Sequence, residues 1–79
     1  MERPITRRLL ASAIEYAARN KLDTIEWQRF FVNHYHDEMM EAARVKCIRL
    51  LYSCPVNEPV PAKIITQLDI IAQMLRQAR

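Results

Sequence analysis

Apolar residues recur every three or four positions along most of the chain, the spacing that places them on one face of an α-helix. The first such stripe runs from Ile5 to Ala17, directly after Pro4, a residue suited to the first turn of a helix. Most charged residues of this segment lie off the stripe. We therefore expect a first helix over residues 5–19, ending near Asn20, which tolerates the left-handed conformation of a helix terminus.

The second stripe has the clearest helix start in the chain. Asp23 can cap a first turn, and Glu26, three residues on, can complete a capping box. Apolar residues then hold one helical face without a glycine or proline, which favours a single long helix over residues 24–53. The alternative is a break near Asn33–Asp37, where the residues are poor helix formers and the last of them could cap a new helix.

Prolines end this pattern and make residues 54–61 a stiff, extended connection. A third stripe predicts a helix over residues 61–78. Its seam has heptad spacing and consists of Ile64, Leu68, Ile71, Leu75 and Ala78. Ile70 and Met74 fall outside this seam, so the helix has a second apolar flank that one neighbouring helix would not cover.

The stripes together predict an all-α protein of one domain, with a short, a long and a medium helix and a helical hairpin closed by the proline-rich connection. The first and third helices would each cover about half of the long one, and each packing would stay open on one side. A chain of 79 residues has a thin core. We therefore expect self-association to complete the bundle, with a homodimer favoured.

Composition supports a helical fold and argues against several functions. Glycine is absent, although phosphate-binding loops and dinucleotide folds depend on its access to positive φ. No apolar run approaches the roughly 18 residues of a membrane span, and no signal peptide is visible. We expect a cytoplasmic protein with no membrane association, in which Cys47 and Cys54 remain reduced.

No residue pattern typical of a catalytic or metal site is found. His34, Glu38 and Glu41 share a helical face, but the pair of histidines four residues apart that zinc hydrolases use is missing. The serines and cysteines have no nearby histidine with an orienting carboxylate. The expected protein is a non-enzyme that needs no cofactor and no metal.

Aromatic and methionine side chains concentrate in the long helix. Six of them form a candidate protein-binding cluster: Trp27, Phe30, Phe31, Tyr35, Met39 and Met40. Such residues are enriched in interface cores. The stripe that includes Phe31, Met39 and Ala42 already supplies the inward face, so we expect Phe30 and Met40, at its sides, to contact a partner or second subunit. The favoured function is an adaptor, modulator or inhibitor that binds another protein, which the sequence leaves unidentified.

The alternative is a nucleic-acid-binding regulator with an N-terminal half like a helix-turn-helix. The net charge is +3, and the basic excess lies in the first 21 residues. The contacting residues would be Arg3, Arg7, Arg8, Lys21, Thr24, Gln28 and Arg29. Against this, Glu26 would place a carboxylate beside phosphates, and a second helix of about 30 residues is unusual for the motif.

In its short length, absence of glycine and absence of catalytic motifs, the whole chain resembles the small helical accessory proteins of bacteria and their phages. This resemblance rests on no specific motif. It therefore assigns no role to any residue.

Overall fold

The computed structural model describes residues 5–54 and 58–77, which form four α-helices and no strand. The helices are α1 (Arg7–Ala18), α2 (Thr24–Phe31), α3 (Glu38–Tyr52) and α4 (Ala62–Gln77). The all-helical prediction is confirmed, but the helix count is four rather than three. The middle of the proline-rich connection and the last seam residue, Ala78, lie outside the described residues.

Both ends of α1 are closed by local hydrogen bonds. The Thr6 hydroxyl accepts the Leu9 N–H at 3.1 Å and caps the first turn. At the other end Asn20 has a φ of 55°, and the Lys21 N–H donates to the Tyr16 carbonyl at 2.8 Å. This is the Schellman arrangement, in which a left-handed residue satisfies the last helical carbonyls. The predicted end of the first helix near Asn20 is confirmed.

The single long helix predicted over residues 24–53 is wrong, because the chain leaves helical conformation between Phe31 and Glu38. Asp37 starts a new helix there. Its carboxylate accepts the N–H groups of Met39 and Met40 at 2.9 and 3.2 Å. Those bonds satisfy amides of the first turn of α3 that have no partner within the helix. The chain therefore ends α2 and begins a newly capped helix instead of continuing one helix through residues that are poor helix formers.

The break changes which face of α3 points inward. Met40, Ala43 and Cys47 are buried, whereas Ala42 and Tyr52 are exposed. In an unbroken helix, Ala42 and Tyr52 would have continued the apolar stripe of α2. The residues between α2 and α3 are not helical, so successive side chains there are not rotated by 100° from one another. The apolar periodicity of α2 therefore does not continue into α3.

The core is built mainly between α1 and α4. The two helices contact each other more extensively than any other pair, and they run antiparallel, as the ion pairs Arg19–Asp69 and Arg76–Glu15 show. Their inward residues are Leu10, Ala11, Ala13, Ile14, Ala17 and Ala18 of α1 with Leu68, Ile71, Ala72 and Leu75 of α4. The predicted seam of the last helix is thus buried at Leu68, Ile71 and Leu75 and half-buried at Ile64.

The second apolar flank of α4 is exposed. Ile70 and Met74 have 56% and 55% of their surface open to solvent. They lie one turn apart on a helix whose other side already packs on α1 and α3. The apolar flank expected from the sequence is therefore present and is left open by α1 and α3, and no described residue covers it fully.

Candidate protein-interaction surface

A buried arginine holds the loop between α2 and α3. Arg44 is only 7% exposed, and its guanidinium donates to both Glu41 carboxylate oxygens at 2.8 Å. Another of its nitrogens donates to the Phe31 carbonyl at the end of α2, 3.1 Å away. The Glu41 carboxylate lies 2.6 Å from His34 Nδ1 and accepts the Tyr35 backbone N–H at 3.1 Å. Arg44 and Glu41 therefore determine how the chain passes from α2 into α3.

Two further contacts hold the same corner. The Tyr35 hydroxyl donates to the Phe30 carbonyl at 2.7 Å, and burial raises the pKa of Tyr35 to about 12. Arg7, at the start of α1, pairs with Asp37 at 2.7 Å. The Met40 N–H and the Arg7 guanidinium both hold the pKa of Asp37 below its ordinary value. These contacts fit a structural role, which is to fix α2 and α3 against α1.

The free energy of unfolding is expected to decrease as the pH falls below about 4.5, the ordinary pKa of a glutamate. Arg44, His34 and the Tyr35 amide hold the pKa of Glu41 far below that value. At acid pH the unfolded chain therefore binds more protons than the folded one, and the stabilisation present above about pH 5 is lost progressively. Urea unfolding followed by circular dichroism at pH 7, 5, 4 and 3 measures this dependence.

The matched variants are Glu41→Gln and Glu26→Gln. Glu41→Gln is expected to be less stable than the wild type at pH 7 and to approach it at pH 3. Glu26 is an exposed residue of the first turn of α2, and the Glu26→Gln variant should keep the wild-type dependence of stability on pH. Equal pH slopes for both variants would show that the Glu41 carboxylate does not carry the effect.

The predicted protein-binding cluster is divided between core and surface. Phe30, Phe31 and Met40 are buried in the core of the single chain, whereas Trp27, Tyr35 and Met39 are half-buried. The expectation that Phe30 and Met40 lie outside the core is wrong. The reason is the break between α2 and α3, which lets α2 bury both adjacent phenylalanines and turns Met40 instead of Ala42 inward.

An open groove of about 560 Å³ runs between α3 and α4. From α3 it is lined by Met39, Ala42 and Ala43, and from α4 by Ile71, Met74 and Leu75. Glu38 and Lys46 lie along the same groove. Its walls are therefore apolar, with one acidic and one basic side chain on the α3 side.

A second, more open depression adjoins this groove on the outer side of α3. It shares Glu38, Ala42 and Lys46 with the groove and adds Tyr35, His36, Glu41, Val45 and Arg49. The two form one continuous surface, here called the α3–α4 face: Tyr35, Glu38, Met39, Ala42, Val45, Lys46 and Arg49, with Met74 of α4. Of the residues nominated from the sequence, only Tyr35 and Met39 belong to it.

The centre of this face is the line Glu38–Ala42–Lys46 at four-residue spacing on α3, and the sequence did not predict it. The apolar pattern places Ala42 on the inward stripe of a longer helix. The sequence feature that indicated this face was the uncovered apolar flank of the last helix, because Met74 of that flank forms the opposite wall of the groove.

The residues nominated for nucleic-acid binding differ in their exposure and contacts. Arg3 lies outside the described residues, and Arg7 is engaged with Asp37. The other five are exposed: Arg8, Lys21, Thr24, Gln28 and Arg29. The Arg29 guanidinium lies 5.6 Å from the centre of the Phe30 ring, a cation–π distance.

Taken together, the described residues define a small four-helix protein with an open, mainly apolar face. Residues 5–54 and 58–77 contain no group of three His, Cys, Asp or Glu side chains placed to hold a metal ion. Nor does any helix in that part of the chain have the length and apolar character to cross a bilayer. The chain matches no protein-family model, no curated protein and no solved structure.

Proposed function

We propose that this protein acts by binding another protein through the α3–α4 face, as an adaptor, modulator or inhibitor without chemistry of its own. The observation that supports the proposal is the apolar groove left open between α3 and α4. Large contiguous apolar patches, of more than a few hundred Å², are rarely left exposed on monomeric proteins unless they serve binding, and the groove together with the exposed Ile70 and Met74 begins such a patch. Methionine side chains such as Met39 and Met74 adapt to varied partner surfaces and are enriched at interfaces.

The groove has the form that receives a helix. Helix-binding grooves take apolar side chains spaced at one or two turns and orient them by charges at the rim. Here the apolar walls come from two neighbouring helices, and Glu38 and Lys46 supply a charge of each sign. Burying the exposed half of Met74 under such a helix contributes about 1 kcal/mol, and several such contacts are needed for a stable complex.

Replacing Met74 by lysine is expected to reduce association at least about tenfold, because it puts a charge into the apolar wall opposite Ala42. The measurement has two arms, sedimentation of the purified protein and quantitative capture of proteins from a lysate of the source cells. The fold should be retained, since Met74 is 55% exposed.

The matched control is Tyr16→Lys. Tyr16 is 53% exposed, lies in the last turn of α1 and is outside the groove. The Tyr16→Lys variant should leave both the sedimentation of the protein and the amount of captured protein unchanged. If Met74→Lys and Tyr16→Lys behave alike in both arms, the α3–α4 face is not the binding surface and the proposal fails.

Duplex nucleic-acid binding is the second candidate, and one observation favours it. The break makes α2 a short helix of eight residues that follows α1 after a tight turn, with Thr24, Gln28 and Arg29 exposed. This removes the objection based on a 30-residue helix. The candidate requires duplex affinity that falls steeply with salt and is weakened by Arg8→Glu or Arg29→Glu. Arg7 is unsuitable for this test, because its replacement would also break the pair with Asp37.

A further inference from the structure

We infer that the α3–α4 face binds a second copy of this chain, with the two α3 helices antiparallel about a two-fold axis beside Ala42. The inference rests on the proposed function, because it names the partner of the same face. A two-fold interface brings each residue opposite a different residue of the partner unless it lies on the axis. The face must then be complementary to itself after rotation about its centre.

The charges of α3 meet this requirement. Glu38 and Lys46 are each four residues from Ala42, which is about 6 Å along the helix at 1.5 Å per residue. In an antiparallel pair centred on Ala42, Glu38 therefore faces the partner's Lys46, and Lys46 faces the partner's Glu38. Neither side chain forms an ion pair with any residue that the structure describes. Both remain available for a partner.

The apolar positions show the same symmetry. Met39 and Val45 are each three residues from Ala42, so the two-fold axis brings each to the same level along the helices as the other in the partner. Ala42 itself is exposed and has a single methyl group, which allows two helix backbones to approach to about 8 Å. Alanine is the smallest residue of the α3–α4 face, and it lies at the point where the two helices would be closest.

The outer ends of the face are also complementary. Tyr35 borders it beyond Glu38, and Arg49 borders it beyond Lys46. Antiparallel pairing brings the end of the face bordered by Tyr35 to the end bordered by the partner's Arg49, where an aromatic ring and a guanidinium are compatible neighbours. A parallel, in-register pair would instead place Glu38 against the partner's Glu38 and Lys46 against the partner's Lys46. The charge order thus favours the antiparallel arrangement over the parallel one.

Charge exchange tests this geometry. Glu38→Lys alone and Lys46→Glu alone are each expected to raise the dimer dissociation constant at least about tenfold, because two like-charged pairs form in each homodimer. An equimolar mixture of the two variants should form a heterodimer, since both contacts are then attractive. The double variant Glu38→Lys/Lys46→Glu should dimerise again with itself. Sedimentation velocity between 5 and about 500 μM, with native mass spectrometry of the mixture, measures all four.

Two controls separate pairing from folding. Glu26→Lys makes the same charge change as Glu38→Lys, in the first turn of α2 rather than α3. Lys63→Glu matches Lys46→Glu at an exposed position of α4 outside the face. Both controls should dimerise like the wild type, and circular dichroism should show unchanged helicity in every variant.

The outcomes separate this inference from the proposed function. A wild type that is monomeric throughout, with capture of a different protein that Met74→Lys abolishes, overturns the second-copy inference and leaves the interaction function standing. A dimer that neither the charge exchanges nor Met74→Lys affects uses another face and overturns both. Failure of the mixed variants to form a heterodimer overturns the antiparallel geometry.

Discussion

Replacing Phe31 by alanine is expected to lower the free energy of unfolding by about 3–5 kcal/mol. Phe31 is 1% exposed and is among the largest fully buried side chains. The centre of its ring lies 4.6 Å from the centre of the Trp27 ring. The total stability of a chain of this size is about 4–12 kcal/mol, so this loss is a large fraction of it. Urea unfolding monitored by circular dichroism at 222 nm measures the change.

Two further variants make this result interpretable. Tyr52→Ala removes an aromatic side chain that is 81% exposed and should change the stability by less than about 0.5 kcal/mol. If Phe31→Ala does not fold at all, Phe31→Leu keeps most of the volume and should lose about 1 kcal/mol. Equal stabilities of Phe31→Ala and Tyr52→Ala would mean that α2 is not packed on the core.

Arg44→Met is expected to destabilise the protein by about 2–3 kcal/mol, because it removes charged hydrogen bonds and leaves their partners unsatisfied. The Phe31 carbonyl loses its side-chain donor, and the Glu41 carboxylate loses its cation. Methionine retains much of the aliphatic volume, so the loss reports the polar contacts rather than a cavity. The same urea unfolding experiment at pH 7 measures it.

Arg8→Met is the matched control, at a position of α1 outside the α3–α4 face. Arg8 is exposed, and its replacement should have little effect on stability. Arg44→Lys should fall between the two, since an ammonium group cannot reproduce the two parallel bonds to one carboxylate. If Arg44→Met is as stable as Arg8→Met, the network at the corner does not stabilise the break between α2 and α3.

Local signals predicted the helix ends well. Asp23 was expected to start a helix, and its carboxylate accepts the Glu26 N–H at 2.8 Å. Asn20 was expected near the end of the first helix, and it has the left-handed conformation. Each of these features depends on a side chain and backbone groups within a few residues of it, which a sequence displays directly.

The break between α2 and α3 depends on residues far apart in the sequence. The apolar spacing from Trp27 to Ala42 suits an unbroken helix, and Asp37 offers a competing cap. The fold stabilises the break through Arg44, which bonds to a carbonyl 13 residues earlier, and through Arg7, which pairs with a cap 30 residues later. The spacing of apolar residues within one segment carries no information about these distant partners.

The candidate site was only partly predictable for the same reason. The α4 wall of the groove was predictable, because Met74 lies outside the heptad seam in any continuous helix over this segment. The α3 wall depended on the phase of α3 after the break, which decides whether Ala42 or Met40 points inward. An error of one position in that phase rotates a helix by about 100° and exchanges core for surface.

The antiparallel pairing of α1 with α4 has a consequence for the order of folding. These helices supply the largest share of the packed core, yet some 40 residues separate the end of one from the start of the other. Contacts this distant along the chain carry a loop-closure entropy that helical hairpins of sequential neighbours avoid. During synthesis, α1, α2 and α3 are made before α4, the helix that covers Leu10 and Ile14. The core between α1 and α4 can therefore reach its native packing only after α4 has been made.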